Sequence, residues 1–104
     1  MSRNEAKKIV KKYADKLVAA NFPFESMYLF GSYATGKADK WSDIDVAIIS
    51  NKIKSNWDKN TNLLWALRQD IDDRIEPHGF TVEEFKEGLS PMAFEVHRTG
   101  VRVA

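Results

Sequence analysis

At 104 residues and a formal charge of +1, the chain has the length of one domain and lacks the positive field that marks binders of long nucleic acids. Hydrophobic residues make up 43% and charged residues 30%, which excludes a disordered chain, and the absence of cysteine excludes disulfides, thiolate metal sites and cysteine nucleophiles. The apolar runs are too short for a membrane span and the start, MSRNEAKKIVKKYADK, has no secretory apolar segment, so a cytoplasmic protein is expected.

From Asn4 to Ala20, Ile9, Val10, Tyr13, Leu17 and Ala20 recur at three- and four-residue spacing, which predicts an amphipathic helix with its lysines on a solvated face. Asn21-Phe22-Pro23 ends it. Ser26 to Phe30 (SMYLF) reads as a first strand stopped by Gly31, and Ile44 to Ile49 (IDVAII) as a second, buried on both faces at its apolar end. Asn56 to Ile71 is a second long helix with Trp57, Leu64, Leu67 and Ile71 on one stripe. Asp73 to His78 (DRIEPH) is a short third strand, placed by Pro77 at a sheet edge or strand end.

Thr81-Val-Glu-Glu84 has capping-box spacing and opens a brief helix that stops at Gly88. Ser90-Pro91 opens another, closed by Gly100, and a final VRV is suited to a small strand. With no repeat or linker, residues 1–104 form one α+β or α/β unit around a small sheet.

The chemistry lies in LFGSYATGKADKWSDIDVAII, Leu29 to Ile49. In a strand, positions i and i+2 share a face roughly 6.6 Å apart, so Asp43 and Asp45 are spaced to bracket two divalent ions about 3.5 to 4 Å apart. Magnesium suits such carboxylates. A purely structural role explains Asp45 poorly, because it sits between Ile44 and Val46 where an unpaired charge is expensive. Gly31 directly after a strand lets the backbone approach an anion closely, and Ser32 adds a hydroxyl. At roughly 5 to 7% usage per residue, a chance Gly-Ser-x10-Asp-x-Asp in this length has odds of about one in a thousand.

That stretch resembles the signature of the nucleotidyltransferase superfamily that includes DNA polymerase beta and kanamycin nucleotidyltransferase, and more closely the minimal nucleotidyltransferases of bacteria and archaea. The likeness covers nearly the whole chain and implies a small mixed sheet flanked by helices. It also implies a third acid on a neighbouring strand. Glu76 is the choice, following Ile75 as the family's acid follows an apolar residue, with Asp72 and Asp73 as alternatives. The family more often carries Asp there.

By this resemblance Asp43 and Asp45 hold two magnesium ions, Glu76 binds the catalytic ion and helps deprotonate an acceptor hydroxyl, and Gly31-Ser32 grip the β and γ phosphates of ATP or another nucleoside triphosphate. Lys37 and Lys40 are loop lysines, Trp41 is expected to pack, and Ser42 to cap or brace the aspartate turn. His78 faces the side of Glu76 if the strand continues past Pro77, where it would position an acceptor or serve the structure; His97 is read as structural.

Because the likeness spans the chain, no second domain remains to hold an acceptor, and direct nucleic-acid binding is not expected. Minimal nucleotidyltransferases commonly pair with a small helical HEPN-type protein as antitoxin and toxin, adding AMP to a tyrosine of the toxin. Trp41, Trp65, Tyr33 and several phenylalanines are candidates for a protein interface. The alternatives are a nucleotide- or partner-binding antitoxin without turnover, and a transferase acting on a small molecule.

Overall fold

Ser2 and Glu5 start the first helix of the computed structural model, which describes residues 1–104. The Ser2 hydroxyl accepts from the Glu5 amide and the Glu5 carboxylate from the Ser2 amide, both at 3.1 Å, so the two satisfy each other at the entry to α1 (Arg3–Ala19). Ala6, Val10, Tyr13, Ala14 and Leu17 form its buried stripe. Asn21, at φ 59°, turns the chain out of the helix in the left-handed conformation that asparagine tolerates.

Strands β1 (Ser26–Phe30), β2 (Ile44–Ile49), β3 (Ile75–Phe80) and β4 (Val101–Arg102) build one mixed sheet in the order β3-β2-β1-β4. β1 runs antiparallel to β2 and β4, whereas β2 and β3 are parallel. A parallel pair needs a crossover, supplied here by a 3₁₀ turn over Asn51–Ser55 and by α3 (Trp57–Arg68). The chain is thus α+β, and Pro77 sits on an edge strand as its missing donor requires.

Alternation along the strands gives the sheet two unequal faces. Met27, Leu29, Ile44, Val46, Ile48 and Ile75 join α1 and Leu64 of α3 in a core of 16 buried residues. The opposite face carries only six, Phe30, Ala47, Ile49 and Phe80 from the strands with Ala93 and Val96 of α5 (Pro91–Thr99). Phe85 of α4 (Val82–Glu87) packs at its margin, and His97 stacks on Phe85 with ring centroids 4.4 Å apart while its Nε2 meets the Phe85 carbonyl. His97 therefore joins α4 to α5 and is structural.

Several expectations need correction. β3 begins at Ile75, two residues later than the pattern suggested, because Asp72 accepts from the Arg74 amide at 2.9 Å and from its guanidinium at 2.7 and 3.0 Å, tying those residues into a turn. It then extends through Phe80, opposite Ile49. Trp57, at the first turn of α3, is 51% exposed, whereas Ile53 of the preceding turn and Asn60 are buried; Asn60 Nδ2 donates to the Lys52 carbonyl at 2.9 Å. Tyr33 is buried and donates to the Asp39 carbonyl at 3.3 Å, which removes it from the interface candidates.

Tyr13 joins the two large helices. Its hydroxyl, fully buried, donates to the Leu64 carbonyl at 2.7 Å, and burial holds its pKa above the usual phenol range. Tyr13→Phe removes this bond with little change of volume. It is expected to cost about 1 kcal/mol and, in a domain of this size, to lower Tm by about 4–8 °C in a thermal melt.

Candidate active site

Gly31 leaves β1 at φ 75° and ψ −150°, a backbone region essentially restricted to glycine. The same residue meets Asp45 side-on, and a Cβ added there would collide with Asp45 Oδ2. Strand register explains the meeting, because Phe30 pairs with Asp45 across the antiparallel ladder. The absent side chain lets the Asp45 carboxylate lie against the main chain at the entrance to the short helix α2 (Ser32–Thr35). The Ser32 hydroxyl makes no hydrogen bond within the protein, while Tyr33 and Ala34 anchor the turn in the core.

The parallel ladder builds the other side. Asp45 pairs with Glu76 and Ala47 with His78, so Asp45, Glu76 and His78 project from the face that carries the smaller core. His78 Nε2 lies 3.4 Å from Asp45 Oδ1 and 3.6 Å from Glu76 Oε1, and one ligand atom from each of the three lies within 4.8 Å of the others. The imidazole sits edge-on to buried Phe30, with centroids 5.3 Å apart at 64°. Asp43 precedes β2 and is exposed, outside this tight trio.

Asp43 is nevertheless close enough to act on Glu76. Burial, the adjoining carboxyl of Asp43 and the charge of Asp45 push the Glu76 pKa above the ordinary 4.5, and His78 offsets this only in part. Of the alternatives for the third acid, Asp72 is bound to its own Arg74, which holds its carboxyl below the usual range, and Asp73 is exposed. The group that faces the two motif aspartates is Glu76. A cluster of hard oxygens at the margin of a core, with the His78 imidazole beside it, fits a divalent cation.

The loop that separates the two halves of the motif is braced locally. Ser42 Oγ accepts from the Asp39 amide at 3.0 Å, and Asp39 Oδ1 accepts from the Trp41 amide at 2.8 Å. Ser42 thus braces the Asp39 turn just ahead of Asp43. That turn points Trp41 outward, 81% exposed with Lys40 Nζ 5.1 Å above its ring, contrary to the expectation that it packs. Lys37 and Lys40 are both exposed.

Thr99, the last residue of α5, is a contributor that the sequence did not reveal. Its hydroxyl donates to the Glu95 carbonyl at 2.9 Å, and the Gly31 amide lies at hydrogen-bond reach of Oγ1, 3.5 Å. The helix end is thereby tied to the phosphate-type turn. The two residues are 68 positions apart, and no local signal links them.

A turn that requires glycine faces clustered carboxylates at the mouth of the mixed sheet, an arrangement compatible with phosphoryl-transfer chemistry. Residues 4–99 match the family described as "Nucleotidyltransferase domain", and the chain belongs to that family. The protein adenylyltransferase MntA of Shewanella oneidensis is 38% identical over 61 residues, 55% of this chain and 44% of that protein, so the match spans less than half of the relative. A putative nucleotidyltransferase from Sulfolobus solfataricus has the same fold, with a TM-score of 0.66 over 98% of this chain and 86% of that one at 20% identity. The fold and the Gly31-Ser32 and Asp43–Asp45 motif agree with that membership.

Two outcomes follow from the geometry. Gly31→Ala must either strain the backbone or push the Asp45 carboxylate aside, and is expected to cost about 1–3 kcal/mol in urea unfolding. Glu76→Gln should instead stabilise the metal-free protein. Because the folded state raises the Glu76 pKa, the ionised carboxylate opposes folding at neutral pH, and this cost fades as pH falls through the raised value towards 4.5. With chelator present, the variant is expected to melt above wild type at pH 7, with the gap closing as pH falls to about 4.5 and below.

Proposed function

We propose that this protein is a magnesium-dependent nucleotidyltransferase that moves AMP from ATP to a hydroxyl of a protein acceptor. The acceptor is a tyrosine of a small helical HEPN-type toxin, to which the chain is the antitoxin. The observation that carries the reading is the alignment of Gly31, Asp45 and Glu76 across neighbouring backbone segments, which sets a turn suited to phosphate beside clustered carboxylates. Transfer of AMP to protein is supported by the name of the Shewanella relative, a protein adenylyltransferase. The toxin partner rests on the family resemblance.

Asp43, Asp45 and Glu76 would hold two magnesium ions, which when bound neutralise the triphosphate and stabilise charge developing on the α-phosphate. This chain's residues supply the remaining steps. Gly31 admits the β and γ phosphates close to the main chain, and the free Ser32 hydroxyl donates to a phosphate oxygen. Glu76 accepts the acceptor's hydroxyl proton on a carboxylate oxygen as that hydroxyl oxygen bonds to the α-phosphorus. The bond from the α-phosphorus to the bridging oxygen breaks, and pyrophosphate departs with its electron pair.

A groove of about 400 Å³ adjoins His78, lined by Trp57, Trp65, Pro77, Phe80 and Met92 among others. An aromatic acceptor side chain would find an apolar surface there, beside His78, the one residue of the site that lines it. Holding nucleotide and hydroxyl in line accounts for most of the catalysis such a small site can provide.

The deciding experiment incubates the protein, magnesium and α-labelled ATP with the protein encoded in the neighbouring open reading frame. Wild type is expected to label that partner, and the Asp43→Asn/Asp45→Asn variant to lose at least about a hundredfold in rate while remaining folded by circular dichroism. Tight association without label would replace this reading with a masking antitoxin. Labelling of a small hydroxyl compound in place of the partner would make it a small-molecule transferase.

A further inference from the structure

The family pattern uses carboxylates alone, but the tightest trio of donors in this chain is Asp45, Glu76 and His78. His78 Nε2 lies 3.4 Å from Asp45 Oδ1, a long hydrogen bond, and 3.6 Å from Glu76 Oε1, beyond hydrogen-bond length. These separations leave room for an ion among the donors: bonds of about 2.1 Å put adjacent donors about 3.0 Å and opposite donors about 4.2 Å apart, and the three donors lie within 4.8 Å of one another. The imidazole is held by the edge contact with buried Phe30 and by its place on the central part of β3. It has no backbone carbonyl as a hydrogen-bond partner; its Nε2 is directed at the two carboxylates.

From this we infer that His78 is a metal-ligating residue and that it turns the site towards manganese(II) over magnesium. The inference rests on the nucleotidyltransferase reading for its purpose, but its chemistry stands on the donor set. Magnesium is hard and takes oxygen ligands, keeping its waters in preference to an imidazole. Manganese(II) accepts carboxylate and phosphate oxygens as magnesium does and adopts the same six-coordinate geometry; although it too favours oxygen, as a transition ion it takes an imidazole nitrogen more readily than magnesium does. A set of two carboxylates and one imidazole, in a site that must also receive phosphate oxygens, matches it better.

Glu76 in place of the family's more frequent Asp is consistent with this arrangement. Its extra methylene gives the carboxylate the reach to approach both Asp45 and the His78 ring. Asp43, outside the trio, remains available to a second, all-oxygen position. The one chain would then present two unlike cation positions, one oxygen-only and one with a nitrogen donor.

Metal-free protein, without nucleotide, is titrated with manganese(II), following loss of the free-ion electron paramagnetic resonance signal, and with magnesium in competition. Wild type is expected to bind manganese at least about tenfold more tightly than magnesium. His78→Gln, which keeps an oxygen acceptor and removes the ring nitrogen, should cut manganese affinity about tenfold and change magnesium affinity by less than about twofold. Pulsed resonance on wild type labelled with ¹⁵N-histidine should show nitrogen coupled directly to the bound manganese, a readout that does not depend on the variant folding.

Absence of that coupling, equal loss of both ions in His78→Gln, or no manganese bound at millimolar concentration would each overturn the inference. None of these measurements uses nucleotide or acceptor. Manganese held through His78 in a protein that transfers no label would therefore refute the transferase reading alone.

Discussion

The carboxylate of Asp45 is confined between the bare backbone of Gly31 and the side chains of Glu76 and His78, and most of the fold serves that confinement. Two ladders set it. The antiparallel register brings Phe30 and the following turn to Asp45, and the parallel register brings Glu76 to its other flank. Since side chains alternate along a strand, a slip of one residue in either ladder would send Asp45 into the larger core and Val46 or Ile44 to the site. The buried Ile44, Val46 and Ile48 make such a slip prohibitive, so the hydrophobic pattern that stabilises β2 also aims its charge.

The unequal faces of the sheet complete this division. The larger core, with α1 and α3 joined through Tyr13 and Leu64, supplies most of the buried apolar surface and hence most of the driving force for folding. The other face can therefore remain thinly covered. α5 shields Ala47 and Ile49 through Ala93 and Val96, then ends at Thr99 beside Gly31, leaving the strand mouths at Asp45 and Glu76 accessible. The stacked His97 and Phe85 fix α5 to α4 and so fix where that cover ends.

Much of this was legible in the sequence because local signals agreed with the tertiary outcome. The capping residues Thr81 and Ser90 accept the amides of Glu84 and Ala93 as their spacing implied, and the strands SMYLF and IDVAII have the bounds their composition suggested. What escaped was set by contacts distant along the chain. The side-chain pattern starts strand β3 two residues early, because the Asp72–Arg74 ion pair decides where pairing begins. Trp57 lies on the apolar stripe of α3 by periodicity, yet it is half exposed at the helix entrance, while Ile53 of the preceding 3₁₀ turn is buried. Thr99 carries no motif, and the position of His78 depended on whether a strand could continue through Pro77, which the edge location allows.

The segment from Asp72 to Glu76 shows how environment separates acids that composition treats alike. Asp72 receives the Arg74 amide and guanidinium, and those hydrogen bonds hold its pKa low; its charge is satisfied within the chain. Glu76 stands on the paired strand, with burial and the carboxyls of Asp43 and Asp45 raising its pKa and only an imidazole to oppose them. A carboxylate already paired gains little from an added cation, whereas one crowded among like charges gains as much as that cation relieves. Groups driven apart in this way mark where a protein's chemistry resides. The repulsion that weakens the metal-free fold at Glu76 is therefore the same quantity that favours cation binding there, and the large core behind the sheet is what lets the protein tolerate it.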